Sequence, residues 1–148
     1  PDRDAYDWGC VYAADEPIIM EDEIRLYYGA SDGPHTDWRN GFFALATLRP
    51  DGFAGYEPED AQQSAMVETS LLTSSTDAIL VTADASNGSV VVSILDDTGN
   101  ELDVSLPITS DVTNEPIRFP KGFSLDDLHE PVRLQFEINA AKVYSFSM

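Results

Sequence analysis

The sequence predicts an all-β protein whose larger part is an antiparallel β-sandwich of jelly-roll or concanavalin-like type. Short apolar segments recur along the chain, separated by turn residues at the spacing typical of sandwich proteins. Several segments alternate apolar and polar residues with period two, the pattern of a strand with one buried face. Only residues 124–128 suggest a helix, as a single capped turn. These observations favour strands over helices throughout the chain.

Four strand-like segments occupy the first part of the chain, at residues 9–13, 16–20, 24–29 and 41–48. Pro17 places the second segment at a sheet edge or at the start of a strand, because proline lacks the amide that a central ladder needs. The fourth segment is almost continuously apolar, which predicts a strand buried on both faces. It is followed by Asp51 and Gly52, a strong turn signal.

An acidic, proline-containing stretch at residues 56–60 has the composition of a linker. We therefore expect a first domain at residues 1–57 and a second at residues 58–148. Further strand-like segments follow the linker, at residues 67–72, 78–83, 89–95, 101–106, 115–119, 132–138 and 142–148.

Two turns and one alternating segment define the second domain. Asn87 and Gly88 predict a hairpin turn into the strand at 89–95, and residues 97–100 predict the next turn. The segment that begins at Val132 alternates most regularly. Its apolar residues are Val132, Leu134, Phe136 and Ile138, and its polar residues are Arg133, Gln135 and Glu137. This alternation predicts one buried face and one solvated face, as in a sandwich sheet.

The charge balance excludes two classes of partner. Eight basic residues against 27 acidic residues give 8 − 27 = −19. Nucleic-acid binding requires clustered Lys and Arg side chains, and anionic membrane surfaces also attract basic segments. We therefore expect neither nucleic acid nor a membrane as a partner. The acidic residues favour a solubilising surface, with Ca²⁺ binding at the turns 84–88 or 96–99 as the alternative.

No cofactor other than that Ca²⁺ alternative is predicted. Cys10 is the only cysteine, so an intramolecular disulfide cannot form, and its apolar surroundings favour a buried structural thiol. His35 and His129 lie far apart in sequence, which argues against a two-histidine zinc site. The sequence has no run of 18 apolar residues, and its start at Pro1 without a leader favours a fragment of a longer protein.

The connection between the third and fourth segments carries the candidate ligand-binding residues. They are Asp32, His35, Trp38 and Arg39, with Asp37 between them. The Trp38 ring suits stacking on a pyranose, and the polar side chains suit hydroxyl groups. The alternatives are an exposed loop histidine and a tryptophan that packs at a sheet edge.

The order of segments resembles the C-terminal part of the five-bladed β-propeller glycoside hydrolases of families 32 and 43. Three sets of residues carry the resemblance: 27–35 with Arg39; 46–53; and 80–84, 88–96, Gly99, 131–136 and 141–146. The resemblance implies strands of the last propeller blade at residues 1–57, followed by the appended sandwich. It also implies a secreted or periplasmic parent that acts on carbohydrate, with the remaining propeller blades as this chain's partner.

The same resemblance implies that this chain is not catalytic by itself. Relatives place their two catalytic carboxylates in earlier blades, so neither role can be assigned to a residue of this chain. The rival hypothesis is a free-standing lectin-like binding or adhesion module, in which the first strands pair into both sheets of one sandwich. A third hypothesis, catalysis within the chain, has only Asp7 and Asp32 as candidate carboxylates.

Overall fold

The predicted all-β class is confirmed. The computed structural model describes residues 2–73, 76, 78–120 and 130–148, and these residues form eleven strands and no helix. The helical turn expected at 124–128 lies outside the described residues. The chain divides into two compact units, Pro1–Gly52 and Phe53–Met148.

The first unit is one antiparallel sheet built around a single long strand. Its strands are β1 (Cys10–Ala13), β2 (Ile18–Ile19), β3 (Ile24–Ser31) and β4 (Gly41–Leu48). β4 pairs with β3 along its entire length. β1 and β2 share the other side of β3, β1 beside its end and β2 beside its start. Pro17 directly precedes β2, where its missing amide does not interrupt the ladder.

The expectation that residues 41–48 are buried on both faces is wrong. The segment is the edge strand β4, and Ala44 is its only buried residue. The Phe43 side chain is 81% exposed, and those of Phe42 and Leu45 are 41% and 45% exposed. The apolar composition was correctly assigned to a strand, but burial depends on a covering layer, which the sequence of one strand does not specify.

One face of this sheet carries a row of aromatic residues. Tyr12, Gly29 and Phe43 lie opposite one another on β1, β3 and β4, so their side chains share a face. The Tyr27 ring lies on the same face and stacks on Phe43, with centroids 5.4 Å apart and planes 12° apart. We call this side of the sheet, which also carries Leu45, the Tyr12 face.

The second unit is a sandwich of two antiparallel sheets. Its strands are β5 (Ser64–Glu68), β6 (Leu80–Asp84), β7 (Ser89–Leu95), β8 (Glu101–Val104), β9 (Asp111–Pro116), β10 (Arg133–Asn139) and β11 (Lys142–Ser147). One sheet has the order β5-β10-β7-β8 and the other β11-β6-β9. Tyr56, which the sequence assigned to the first domain, pairs with Val143 through two backbone hydrogen bonds within this unit.

A single hydrophobic core lies between the two sheets. Both sheets contribute fully buried side chains, including Val81 of β6 and Ile94 of β7. The alternation predicted from Val132 onward is confirmed, because Val132, Leu134, Phe136 and Ile138 are all buried. The wet face of β10 is also confirmed in part: Arg133 lies 3.6 Å from Glu68 of the neighbouring strand in a surface ion pair.

The hairpin predicted at Asn87 and Gly88 is wrong, although the residues do form a turn. β6 and β7 lie in different sheets, so the turn crosses from one layer to the other. A Cβ atom on Gly88 would lie 1.9 Å from the carbonyl oxygen of Asn139, so only glycine permits this close approach. The next turn does join a hairpin, since β7 pairs with β8.

We expect Ile138→Ala to lower the free energy of unfolding by about 2–5 kcal/mol, because it leaves a cavity between the sheets. Ile138 is fully buried, whereas Met66 on β5 is 55% exposed and serves as the control. Met66→Ala should change the same free energy by less than about 0.5 kcal/mol. Urea unfolding followed by circular dichroism measures both. Equal losses in the two variants would contradict this assignment of the core.

Candidate functional site

The predicted ligand-binding residues all lie in the β3–β4 loop, residues 32–40, which leaves the end of β3 and returns to start β4. Two close backbone contacts place this loop against the start of β1. The Gly9 amide donates to the Ser31 carbonyl at 3.0 Å. A Cβ atom on Gly9 would lie 2.1 Å from the Gly33 oxygen, so a side chain there would push the loop away.

Cys10 belongs to this backbone contact. Its half-buried thiol lies 3.6 Å from the Gly33 carbonyl oxygen, and the Ser31 hydroxyl donates to the same oxygen at 2.9 Å. The Cys10 thiol therefore helps to hold the first turn of the loop. This arrangement gives it a structural role, but the burial expected from its apolar neighbours is wrong, because Val11 and Tyr12 are themselves exposed.

Asp32 closes the base of the loop. Its two carboxylate oxygens accept hydrogen bonds from the backbone amide and the side-chain amide of Asn40, at 2.8 and 2.7 Å. The Asn40 side chain, followed by its backbone amide, lowers the pKa of Asp32 below its usual value. The carboxylate that the sequence nominated for ligand contact thus fastens the two ends of the loop together.

Arg39 shapes the interior of the loop. Its Nη1 donates to the carbonyl oxygens of His35, Asp37 and Pro34, at 2.7, 3.3 and 3.4 Å. Its Nη2 lies 3.3 Å from Nδ1 of His35. The two hydrogens of Nη1 are shared among these three carbonyls, and the His35 carbonyl is the nearest. A guanidinium reaches the carbonyls and the imidazole with two separate nitrogens of one rigid fork, which a single lysine ammonium does not offer. Arg39 therefore acts as a positioning residue.

The structure brings His35 next to Tyr12, a residue that the sequence did not nominate. The Tyr12 hydroxyl lies 2.8 Å from Nδ1 of His35. Because Arg39 can only donate, this arrangement favours the tautomer in which Nδ1 accepts and Nε2 carries the proton. That N–H makes no hydrogen bond to the described residues and remains available to a ligand. The 23-residue separation of Tyr12 and His35 left no local signal for this pair.

Trp38 is the most exposed large side chain of the loop. Its indole is 94% exposed, although its two neighbours are joined to each other, since the Arg39 guanidinium donates to the Asp37 carbonyl. Because the loop backbone is ordered, stacking on a ligand costs mainly the rotamer freedom of the indole itself. The loop and β1 thus present an exposed ring at Trp38, a ring N–H at His35 and, at Tyr12, a hydroxyl oxygen that can accept.

The two candidate catalytic carboxylates have separate structural partners. Tyr28 donates its hydroxyl proton to Asp7 at 3.2 Å, and its oxygen lies 2.9 Å from the Tyr6 hydroxyl. The Tyr6 hydrogen bond, together with burial and Asp7, raises the pKa of Tyr28. Asp32 is bound to Asn40, as described above. Each carboxylate therefore stabilises its own local structure.

The turns considered for Ca²⁺ use their carboxylates internally. Asp96 accepts from the backbone amides of Thr98 and Asn100 and from the Asn100 side chain. The hydrogen bonds from Asn100 and Thr98 lower the pKa of Asp96 to about 2. Asp84 accepts from the Ser86 amide. Among the described residues, no group of three or more His, Cys, Asp or Glu side chains could hold a metal ion.

Comparison with protein-family models, curated proteins and solved structures finds no match to this chain. The part of the chain that the structure describes also has no helix long and apolar enough to cross a membrane. The function is therefore inferred from the site itself.

The Asp32–Asn40 contact predicts a pH dependence with a definite sign. Because the folded pKa of Asp32 is lowered, its contribution to stability is complete above the unfolded pKa of about 3.9. That contribution is lost as the pH falls through the lower, folded value. In an NMR titration we expect Asn40→Ala to move the pKa of Asp32 back upward, since it removes the side-chain donor.

Asn100→Ala is the matched control, because it removes the equivalent amide from Asp96. It should raise the pKa of Asp96 and leave that of Asp32 unchanged. If the pKa of Asp32 is the same in the wild type and in Asn40→Ala, the Asp32–Asn40 contact does not close the loop.

Proposed function

We propose that this chain is the non-catalytic C-terminal portion of a carbohydrate-active, glycoside-hydrolase-like protein, secreted or periplasmic, and that it contacts glycan through the β3–β4 loop. The observation that carries the proposal is the exposed Trp38 ring on the same loop as His35, whose imidazole contacts Tyr12. Aromatic side chains with an adjacent donor suit sugars, which present apolar C–H faces rimmed by hydroxyl groups.

The arrangement of strands supports a blade-like role for the first unit. β1–β4 form a sheet of their own, with β4 unpaired along its outer side in the described chain. A single sandwich module would instead distribute these strands between its two sheets. The Tyr12 face is also exposed at Phe43 and Tyr12, at 81% and 56%. Packing against a neighbouring blade would remove this apolar surface from water.

The hydrogen bonds of the loop support contact rather than catalysis. A glycosidase needs one carboxylic acid and one carboxylate on opposite sides of the scissile bond. Asp7 and Asp32 are each committed to a local partner, Tyr28 and Asn40 respectively. The groups left to a sugar are the Trp38 ring, the His35 Nε2–H and the Tyr12 hydroxyl, none of which supplies that pair.

A lectin-like module is the second candidate, and the 94% exposure of Trp38 is the observation that favours it. In that case the isolated chain binds glycan without any other blade. The two candidates share the same contact residues, and they differ in whether the Tyr12 face is covered by another part of a parent protein.

Calorimetric titration of the folded chain with a panel of neutral oligosaccharides tests the glycan contact. We expect Trp38→Ala to weaken binding by about tenfold or more, equivalent to about 1.4 kcal/mol. Trp38→Phe should retain part of the affinity because it keeps a ring, and His35→Ala should also weaken binding.

Phe53→Ala is the control, since Phe53 is an aromatic residue of the second unit that is 61% exposed. It should leave the affinity unchanged. Binding that survives Trp38→Ala, or no binding to any member of the panel, would remove the glycan contact from the proposal.

A further inference from the structure

A pocket in the second unit lies beside the start of β11. It has a volume of about 350 Å³ and is lined by residues from 57–61, 84–87 and 140–144. Small-molecule sites begin at about 300 Å³, and about 150 Å³ already holds one benzene molecule. The pocket therefore has room for a ligand of one or two six-membered rings. All of its lining residues belong to the second unit, so it is separate from the β3–β4 loop.

Close backbone contacts build the walls of this pocket. A Cβ atom on Gly55 would lie 2.8 Å from the Val143 oxygen and 2.9 Å from Cγ of Lys142, so glycine allows the segment before the pocket to lie directly against β11. The two backbone hydrogen bonds between Tyr56 and Val143 hold the segment there. Gly88 brings the β6–β7 turn against the β10–β11 turn in the same way. The pocket is thus formed before any ligand binds, which reduces the entropic cost of binding.

The polar groups of the pocket include both donors and acceptors. The Lys142 ammonium lies 2.9 Å from the Glu57 carboxylate in an ion pair. An ammonium has three donors and a carboxylate has about four acceptor positions, so their one contact leaves both groups with hydrogen-bonding capacity. The Asn87 side chain is exposed on the β6–β7 turn, and its amide makes no hydrogen bond to the described residues.

Tyr144 adds an aromatic residue to this polar lining. The ladder between β11 and β6 shifts register between Val143 and Ser145, which makes Tyr144 the extra residue of a β-bulge. Bulges re-aim side chains and are frequent beside functional sites. An aromatic ring next to groups that bind hydroxyls suits a sugar, whose ring presents an apolar C–H face.

The charges of the pocket favour a neutral ligand. Its charged residues are Glu57, Asp84 and Lys142, and the whole chain carries a net charge of −19, so an anion is repelled. A cation would meet the Lys142 ammonium and would compete with it for Glu57. A hydroxyl group instead donates to a carboxylate and accepts from an ammonium, so it fits both members of the ion pair.

We propose that this pocket is a second saccharide site, which takes one or two rings of a neutral sugar through Tyr144, Asn87 and the Glu57–Lys142 pair. The choice of a sugar as the ligand class rests in part on the proposed function. The location of the site rests on the pocket alone.

NMR titration of the intact chain with neutral mono- and disaccharides tests the site. We expect the backbone amide signals of Gly88 and Lys142 to shift with saturation. Asn87→Ala should weaken that binding by about three- to tenfold, since it removes one hydrogen-bonding side chain from the ligand. Ser86→Ala is the matched control and should leave the affinity unchanged, because Ser86 is exposed on the same turn but does not line the pocket.

Filling the pocket is a second test, which does not depend on a single hydrogen bond. Ala61 is an exposed residue of the lining, so Ala61→Trp places an indole in the space of the ligand and should weaken binding by more than about tenfold. Gln62→Trp, at the exposed neighbouring residue outside the lining, should not. Shifts of Gly88 and Lys142 that persist in Ala61→Trp overturn the proposal. Shifts produced by methylammonium chloride but by no neutral sugar also overturn it.

The Trp38 indole signal separates this inference from the proposed function in the same titration. Shifts of Gly88 and Lys142 without a shift of Trp38 would support the second site and remove the glycan contact of the β3–β4 loop. A shift of Trp38 alone would overturn the second site and leave the proposed function in place. No shift of any of these signals would overturn both.

Discussion

The pairing of β3 on both of its sides is the interaction on which the first unit depends. β4 follows β3 over all eight residues, and β1 pairs with the last four. The β3–β4 loop begins where these ladders end, so the strand register fixes both ends of the loop and the position of Tyr12 beside it. The exposure of Trp38 and the proximity of Tyr12 to His35 are consequences of that register.

Within the loop, the polar residues divide into those that build it and those that it presents. Asp32 and Arg39 direct their hydrogen bonds inward, to Asn40 and to the loop carbonyls. His35 has one nitrogen held by Tyr12 and Arg39, and Trp38 is left to solvent. A carboxylate and a guanidinium would be costly to re-solvate or redirect toward a ligand, whereas an exposed indole requires no such rearrangement.

Local patterns in the sequence predicted the strands and one buried face, because period-two alternation is a property of neighbouring residues. They identified the β3–β4 loop for a similar reason. The partners of those residues were not predictable, since pairing joins distant parts of the chain. Gly88 permits a crossover between sheets because of its approach to Asn139, far along the chain. Likewise, Tyr12 reaches His35 only through the β1–β3 pairing, and the exposure of β4 depends on what does or does not cover it.

The glycan contact at the β3–β4 loop is the central claim, and the two tryptophans allow a direct measurement. Trp38 is in the loop, whereas Trp8 lies under the Arg3 guanidinium, 5.7 Å from its ring. The indole N–H signals can be followed by NMR while neutral oligosaccharides are added to the intact chain. The account predicts that the Trp38 signal shifts with saturation and that the Trp8 signal stays in place. A shift of Trp8 alone, or no shift of either signal, would contradict it.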